Sequence, residues 1–94
     1  MKIHGIIWLR SVVDKLAWKH NVTTDEVEGV LNLSPHFRFV QKGDVDKEDL
    51  YAALGRTETG RYLIVFFVHK PSDEALIISA RDMTKKERKI YARK

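Results

Sequence analysis

Residues 61–69, RYLIVFFVH, constrain the fold of this chain more than any other stretch. Tyr62, Ile64, Phe66 and Val68 alternate with Leu63, Val65 and Phe67, so a strand over these residues is apolar on both faces. Such a strand needs cover on both sides and belongs in the middle of a sheet. The same period of two marks its neighbours. Leu50, Ala52 and Leu54 alternate in a strand that stops near Gly55, Gly55 and Gly60 are read as turn residues, and Thr57-Glu58-Thr59-Gly60 reads as the hairpin turn between the two. Earlier, Phe37 and Phe39 alternate with Arg38 and Val40, and residues 42–47 form a polar loop around Gly43. Later, Pro71-Ser72-Asp73 makes a turn, Leu76, Ile77 and Ile78 start the last strand, and the chain turns at Arg81 and Asp82.

Helical signals flank these strands. Leu9, Val12, Val13, Leu16 and Ala17 recur at three and four positions, which predicts a helix over about residues 9–20 with one apolar stripe. Lys19 and His20 occupy its last turn, and Asn21 can take the left-handed conformation that ends a helix. Trp18 falls on the opposite side and is expected to be at least partly exposed. Thr23 and Glu26 have capping-box spacing before Val27, Val30 and Leu31, and Ser34-Pro35 closes this second helix. Thr84 and Glu87 repeat the box at the start of a C-terminal helix. Ile3, Ile6, Ile7 and Trp8 make a short apolar entry, a strand or an extended arm. The expected layout is α+β in one domain over residues 1–94, with two N-terminal helices, a four-stranded antiparallel sheet and a C-terminal helix.

Charge is concentrated at one end. Residues 81–94 carry seven basic and two acidic side chains, whereas the whole chain has a formal net charge of +4, so its positive excess lies in this segment. Such a segment suits a polyanion, although a basic helix end is also simply compatible with the helix dipole. The chain contains no cysteine, which removes disulfides and thiol chemistry and fits a cytoplasmic location. It has no apolar run long enough to cross a bilayer, and no membrane partner is expected. His4, His20, His36 and His69 lack the spacing of a metal site, so neither zinc nor another cofactor is expected.

Arg, Lys, His, Glu and Tyr side chains at strand and helix ends can cleave RNA without a metal, because the 2′-hydroxyl is an internal nucleophile. The protein then supplies a base, an acid and cations for the phosphorane charge. His20, at the mouth of the apolar stripe, is a candidate for proton transfer, with a structural helix cap as the alternative. Arg81, at a strand end, is a candidate phosphate ligand, with a salt bridge to Glu87 or Asp82 as the alternative. Glu87 is sufficiently explained by its capping box. Lys85, Lys86, Arg88 and Lys89 form a basic helix face that attracts RNA without sequence preference, with Tyr91 beside them as a possible base contact or, together with Ile90, a docking contact. Trp18 is better suited to a protein partner than to a base.

Along nearly its whole length the chain resembles the BrnT toxins of bacterial type II toxin–antitoxin systems. The resemblance is carried by Trp8, Lys19-His20, Glu26, Glu48 and Tyr51 before Leu54-Gly55-Arg56, Gly60-Arg61, Ile77-Ile78-Ser79-Ala80-Arg81, Thr84, Glu87-Arg88 and Tyr91. It implies a RelE-like small ribonuclease fold, RNA cleavage that inhibits translation, and neutralisation by a cognate BrnA-like antitoxin. The antitoxin would bring a ribbon-helix-helix region, so that DNA is met only through the complex. The implied catalytic set is Lys19, His20, Arg56, Arg61 and Arg81, with Glu48 and Tyr91 as further members. Leu9, Val12, Leu16 and Leu50 stand where the family usually has polar residues, and Asn21 replaces a glycine. Two other functions follow from the residues. The apolar replacements suit a toxin-fold protein that binds its partner but cleaves weakly. Residues 9–32 also read as a helix-turn-helix, although Asp25, Glu26 and Glu28 would repel DNA from its second helix.

Overall fold

The doubly apolar run forms β4 (Tyr62–His69) and lies inside a five-stranded sheet. The computed structural model describes residues 1–45 and 48–93; the end of the expected polar loop, at Asp46 and Lys47, and the last basic residue, Lys94, lie outside the described residues. The other strands are β1 (Gly5–Ile7), β2 (His36–Gln41), β3 (Leu50–Arg56) and β5 (Glu74–Asp82), arranged β1-β5-β4-β3-β2. The helices are α1 (Arg10–Lys15), extended by one π-helical turn (Leu16–His20), α2 (Thr24–Asn32) and α3 (Lys85–Ala92).

Alternation along β4 divides the apolar side chains between two layers. Leu63, Val65 and Phe67 pack with Leu16, Val22, Val27, Val30, Ala53 and Ile77 under α1 and α2. Ile64 packs with Ala52, Leu54 and Met83 on the other face, flanked by part-buried Tyr62, Phe66 and Tyr91 of α3. Phe67 is fully buried, and burial of such a ring contributes a few kcal/mol at roughly 25 cal/mol per Å². Both expected capping boxes form, with Thr23 and Thr84 accepting from Glu26 N and Glu87 N. Asn21 takes the left-handed conformation, φ 53°. Trp18 is 76% exposed.

Three expectations change. The sheet is mixed and has five strands, because β1 pairs parallel with β5 through Gly5, Ile6 and Ile7 opposite Glu74, Ala75 and Leu76. Three residues are too few to show a period, and the free edge that they cover exists only once β5 is in place. The last strand does not turn at Arg81 and Asp82 but continues through them, opposite Ile64 and Leu63, and Met83 N still donates to Tyr62 O at 3.1 Å. Gly55 lies within β3 and is not a turn residue; a Cβ there would sit 3.0 Å from Val30 Cγ1, so α2 rests directly on its backbone.

Two glycine substitutions test this packing by chemical denaturation. Gly55→Val should destabilise the fold by about 1–3 kcal/mol through overpacking against α2. Gly29→Ala, where an added Cβ meets nothing within 4 Å, should stabilise α2 by roughly 0.5–1 kcal/mol.

Candidate functional site

Arg56 ends β3, Arg61 directly precedes β4, which Tyr62 opens, and Asp82 ends β5, so one end of the sheet gathers most of the expected site. Arg61 is held from every direction. Its Nε donates to Asp82 Oδ1 at 2.7 Å, and Nη2 donates to Asp82 Oδ2 at 3.3 Å and to His20 O at 3.1 Å. Nη1 donates to Asn21 O at 2.7 Å and to both Glu26 carboxylate oxygens at 3.2 Å. The five N–H donors of the guanidinium therefore all have acceptors, and its charge faces two carboxylates. The hydrogen bonds from Arg61 hold the Asp82 carboxyl below its ordinary value, helped by the nearby charge of His20 and opposed by partial burial. The same bond to Asp82 raises the Arg61 guanidinium further.

Arg81 is also neutralised. Nη1 and Nη2 donate to Glu87 Oε1 and Oε2 at 2.7 and 2.9 Å, and the guanidinium lies 5.5 Å from the centre of the Phe66 ring. Glu87 accepts from Thr84 N as well, at 2.9 Å, so one carboxylate both caps α3 and ties it to β5. Arg81, first among these donors, pulls the Glu87 carboxyl below its ordinary value.

Arg56 and Arg88 have the opposite setting. Both are exposed, and among the described residues neither has a carboxylate partner. Their guanidinium carbons lie 5.0 and 4.0 Å from the centre of the Tyr62 ring, which meets Tyr91 edge to face at 6.1 Å. Arg56, Tyr62, Arg88, Lys89, Tyr91 and Ala92 line an open cleft of about 420 Å³. Two unpaired cations around one aromatic ring make a place for a phosphate next to a surface on which a base can stack. Lys85 and Lys86 extend the exposed basic face of α3.

Strand parity separates what the expected set would have joined. Arg61, with Asp82, lies on the face under α1 and α2, and Arg56 and Arg81 lie on the α3 face, so the three arginines do not converge. His20 and exposed Lys19 belong to the π turn beside Arg61. Glu48 is at the opposite end of the sheet, paired with Lys70. Tyr51 packs against Phe39, Phe67 and His69 there, remote from Arg56. Trp8 ties the chain entry to α2 through Nε1 to Glu28 Oε2 at 3.1 Å. Of the apolar replacements, Leu16 is a core residue and Leu9 is exposed. Tyr62 was hidden within the apolar period of β4; the available signal was its position next to a hairpin turn, across from Arg56.

The family described as "Ribonuclease toxin, BrnT, of type II toxin-antitoxin system" matches residues 13–87. The chain belongs to the BrnT family. Membership implies a ribonuclease toxin of a type II toxin–antitoxin system, with RNA as substrate and an antitoxin as partner. The BrnT match runs from α1 into the first turn of α3 and includes Lys19, His20, Arg56, Arg61 and Arg81, and it ends just before Arg88. No curated protein matches the chain. Among the described residues no helix is long and apolar enough to cross a membrane.

The two carboxylates with depressed values contribute stability that is fully present above their ordinary values, 3.8 for Asp82 and 4.5 for Glu87, and is lost as pH falls through the lower folded values. Glu87→Gln should therefore lower stability near neutrality by about 1–2 kcal/mol, and the gap to the unaltered chain should close as pH approaches 3 in denaturant titrations. A gap that stays constant with pH would remove the ion pair as its cause.

Proposed function

We propose that this chain is a metal-independent endoribonuclease that acts in the cytoplasm to inhibit translation and binds the RNA backbone at Arg56 and Arg88. The observation that carries this reading is the contrast among the four arginines. Arg61 and Arg81 face carboxylates, whereas Arg56 and Arg88 keep their charge around Tyr62. Cations free of carboxylates are the ones that can bind a phosphodiester and stabilise the charge that develops on it during 2′-hydroxyl attack. Tyr62 and Tyr91 offer ring faces or edges to a base, and Lys89 adds long-range attraction. Arg61 and Arg81 then serve as fasteners: the first holds the His20–Asn21 backbone against β5, and the second holds α3 on the sheet.

The acidic surface of α2 argues against the helix-turn-helix alternative. α2 buries Val27, Val30 and Leu31 and contributes Asp25, Glu26 and Glu28 to a cleft of about 440 Å³ shared with Glu58, a surface that repels nucleic acid. The partner in this proposal is a BrnA-like antitoxin with a ribbon-helix-helix region, and DNA is engaged through that complex. Exposed Trp18 is its proposed contact on this chain.

Purified chain should cut single-stranded RNA in the presence of EDTA. Arg56→Gln and Arg88→Gln should each weaken RNA binding and reduce the slope of log affinity against log salt by about 0.7. An unchanged slope in both variants would dismiss the phosphate site. A gel shift on operator DNA should require the antitoxin; a shift by the chain alone would revive DNA binding.

A further inference from the structure

We propose that His36 is the residue that takes the 2′-hydroxyl proton during RNA cleavage, on the sheet face where Arg38, Arg56 and Arg88 leave their charge open. The inference rests on the ribonuclease reading and adds to it a residue outside the expected site. His36 opens β2 directly opposite Leu54, and Arg38 lies opposite Ala52. Residues facing each other across an antiparallel pair share a face, and Leu54 and Ala52 belong to the core layer under α3. Arg56 follows Leu54 by two residues on that same face and pairs with Tyr62. His36 thus stands one same-strand step from Arg38, about 6.6 Å, and one diagonal step from Arg56, about 7–8 Å.

The surroundings of His36 differ from those of the other histidines. His69 and His4 both contact Asp73 at the far end of β4. His20 lies on the opposite face, beside Asp82 and the neutralised Arg61. His36 is half-buried, and among the described residues neither its side chain nor that of Arg38 has a hydrogen-bond, ion-pair or ring partner. Because β2 is the outer strand of the sheet, RNA can reach it from solvent. Its backbone is nevertheless fixed: Pro35 precedes it, in contact range of Gly55, and the ladder to β3 begins at His36 itself. A free imidazole on a rigid strand end, among guanidiniums that draw in a phosphodiester, is an arrangement suited to general-base catalysis.

In the step, a ring nitrogen of His36 accepts the proton of the 2′-hydroxyl as the 2′-oxygen bonds to phosphorus. The bond from phosphorus to the 5′-oxygen breaks, and that oxygen takes a proton from water. The imidazolium returns its proton to the hydroxide so formed. The products are a 2′,3′-cyclic phosphate end and a 5′-hydroxyl end, with no other reactant consumed.

The test uses the full chain, purified without antitoxin, and a labelled single-stranded oligoribonucleotide in EDTA. His36→Gln should retain the wild-type melting temperature and RNA affinity, cleave about 10²-fold more slowly, and lose one limb of the pH–rate profile. Added imidazole should restore cleavage by His36→Ala, and His4→Gln should cleave normally. Wild-type cleavage by His36→Gln overturns the inference alone, as does a slowed His36→Ala that imidazole does not rescue or a slowed His36→Gln that keeps the full pH profile. Intact RNA with the unaltered chain overturns the ribonuclease reading, and the inference with it.

Discussion

Arg61 directs its guanidinium at oxygens from three parts of the fold. These are the backbone carbonyls of His20 and Asn21 at the end of the π turn, the Glu26 carboxylate in the first turn of α2, and the Asp82 carboxylate at the end of β5. Arginine is suited to this because its planar fork offers five donors in fixed directions and stays charged throughout the accessible pH range. Glu26 already receives Thr23 N as part of its capping box, so one cation joins a helix start, a left-handed turn and a strand end. The end of β5 is thereby kept in the ladder through Asp82, which carries Arg81 along in register with Ile64.

The consequences for charge follow from strand alternation. Each step along a strand reverses the face on which a side chain lies, so Arg61 and Tyr62, adjacent in sequence, serve different layers. Arg61 meets the acidic residues of α2 and β5, while Tyr62 meets Arg56 and Arg88 under α3. Carboxylates are placed next to Arg61 and Arg81, and among the described residues none is paired with Arg56, Arg88 or Arg38. Arginines that look alike in the sequence become fasteners in one case and exposed anion ligands in the other. The basic helix α3 contributes to both kinds, through Glu87 bonded to Arg81 and through Arg88 over Tyr62.

The elements with strong local signals were legible before the fold was seen. The two-sided period of residues 61–69 placed β4 inside the sheet, both Thr–Glu capping boxes marked the starts of α2 and α3, and Asn21 marked a left-handed helix end. The site was less legible, for a physical reason. Whether a cation is free depends on which carboxylates lie within about 4 Å of it, and those of Arg61 come from positions 21 and 35 residues away. Arg81 and Glu87, six residues apart, were the local exception, and their salt bridge was among the alternatives that could be read in advance.

The sequence alone, through alternation, helical spacing and capping chemistry, determined the three helices, the central strand and the basic C-terminal segment, because each depends on residues only a few positions apart. The tertiary structure alone decided that Gly5, Ile6 and Ile7 close the sheet as a parallel edge, that Gly55 serves as the seat of α2, and that Arg56, Arg88 and Tyr62 meet on one face while Arg61 is neutralised on the other. Those outcomes depend on register and on sheet parity, which couple residues far apart in the chain and have no signature in local periodicity.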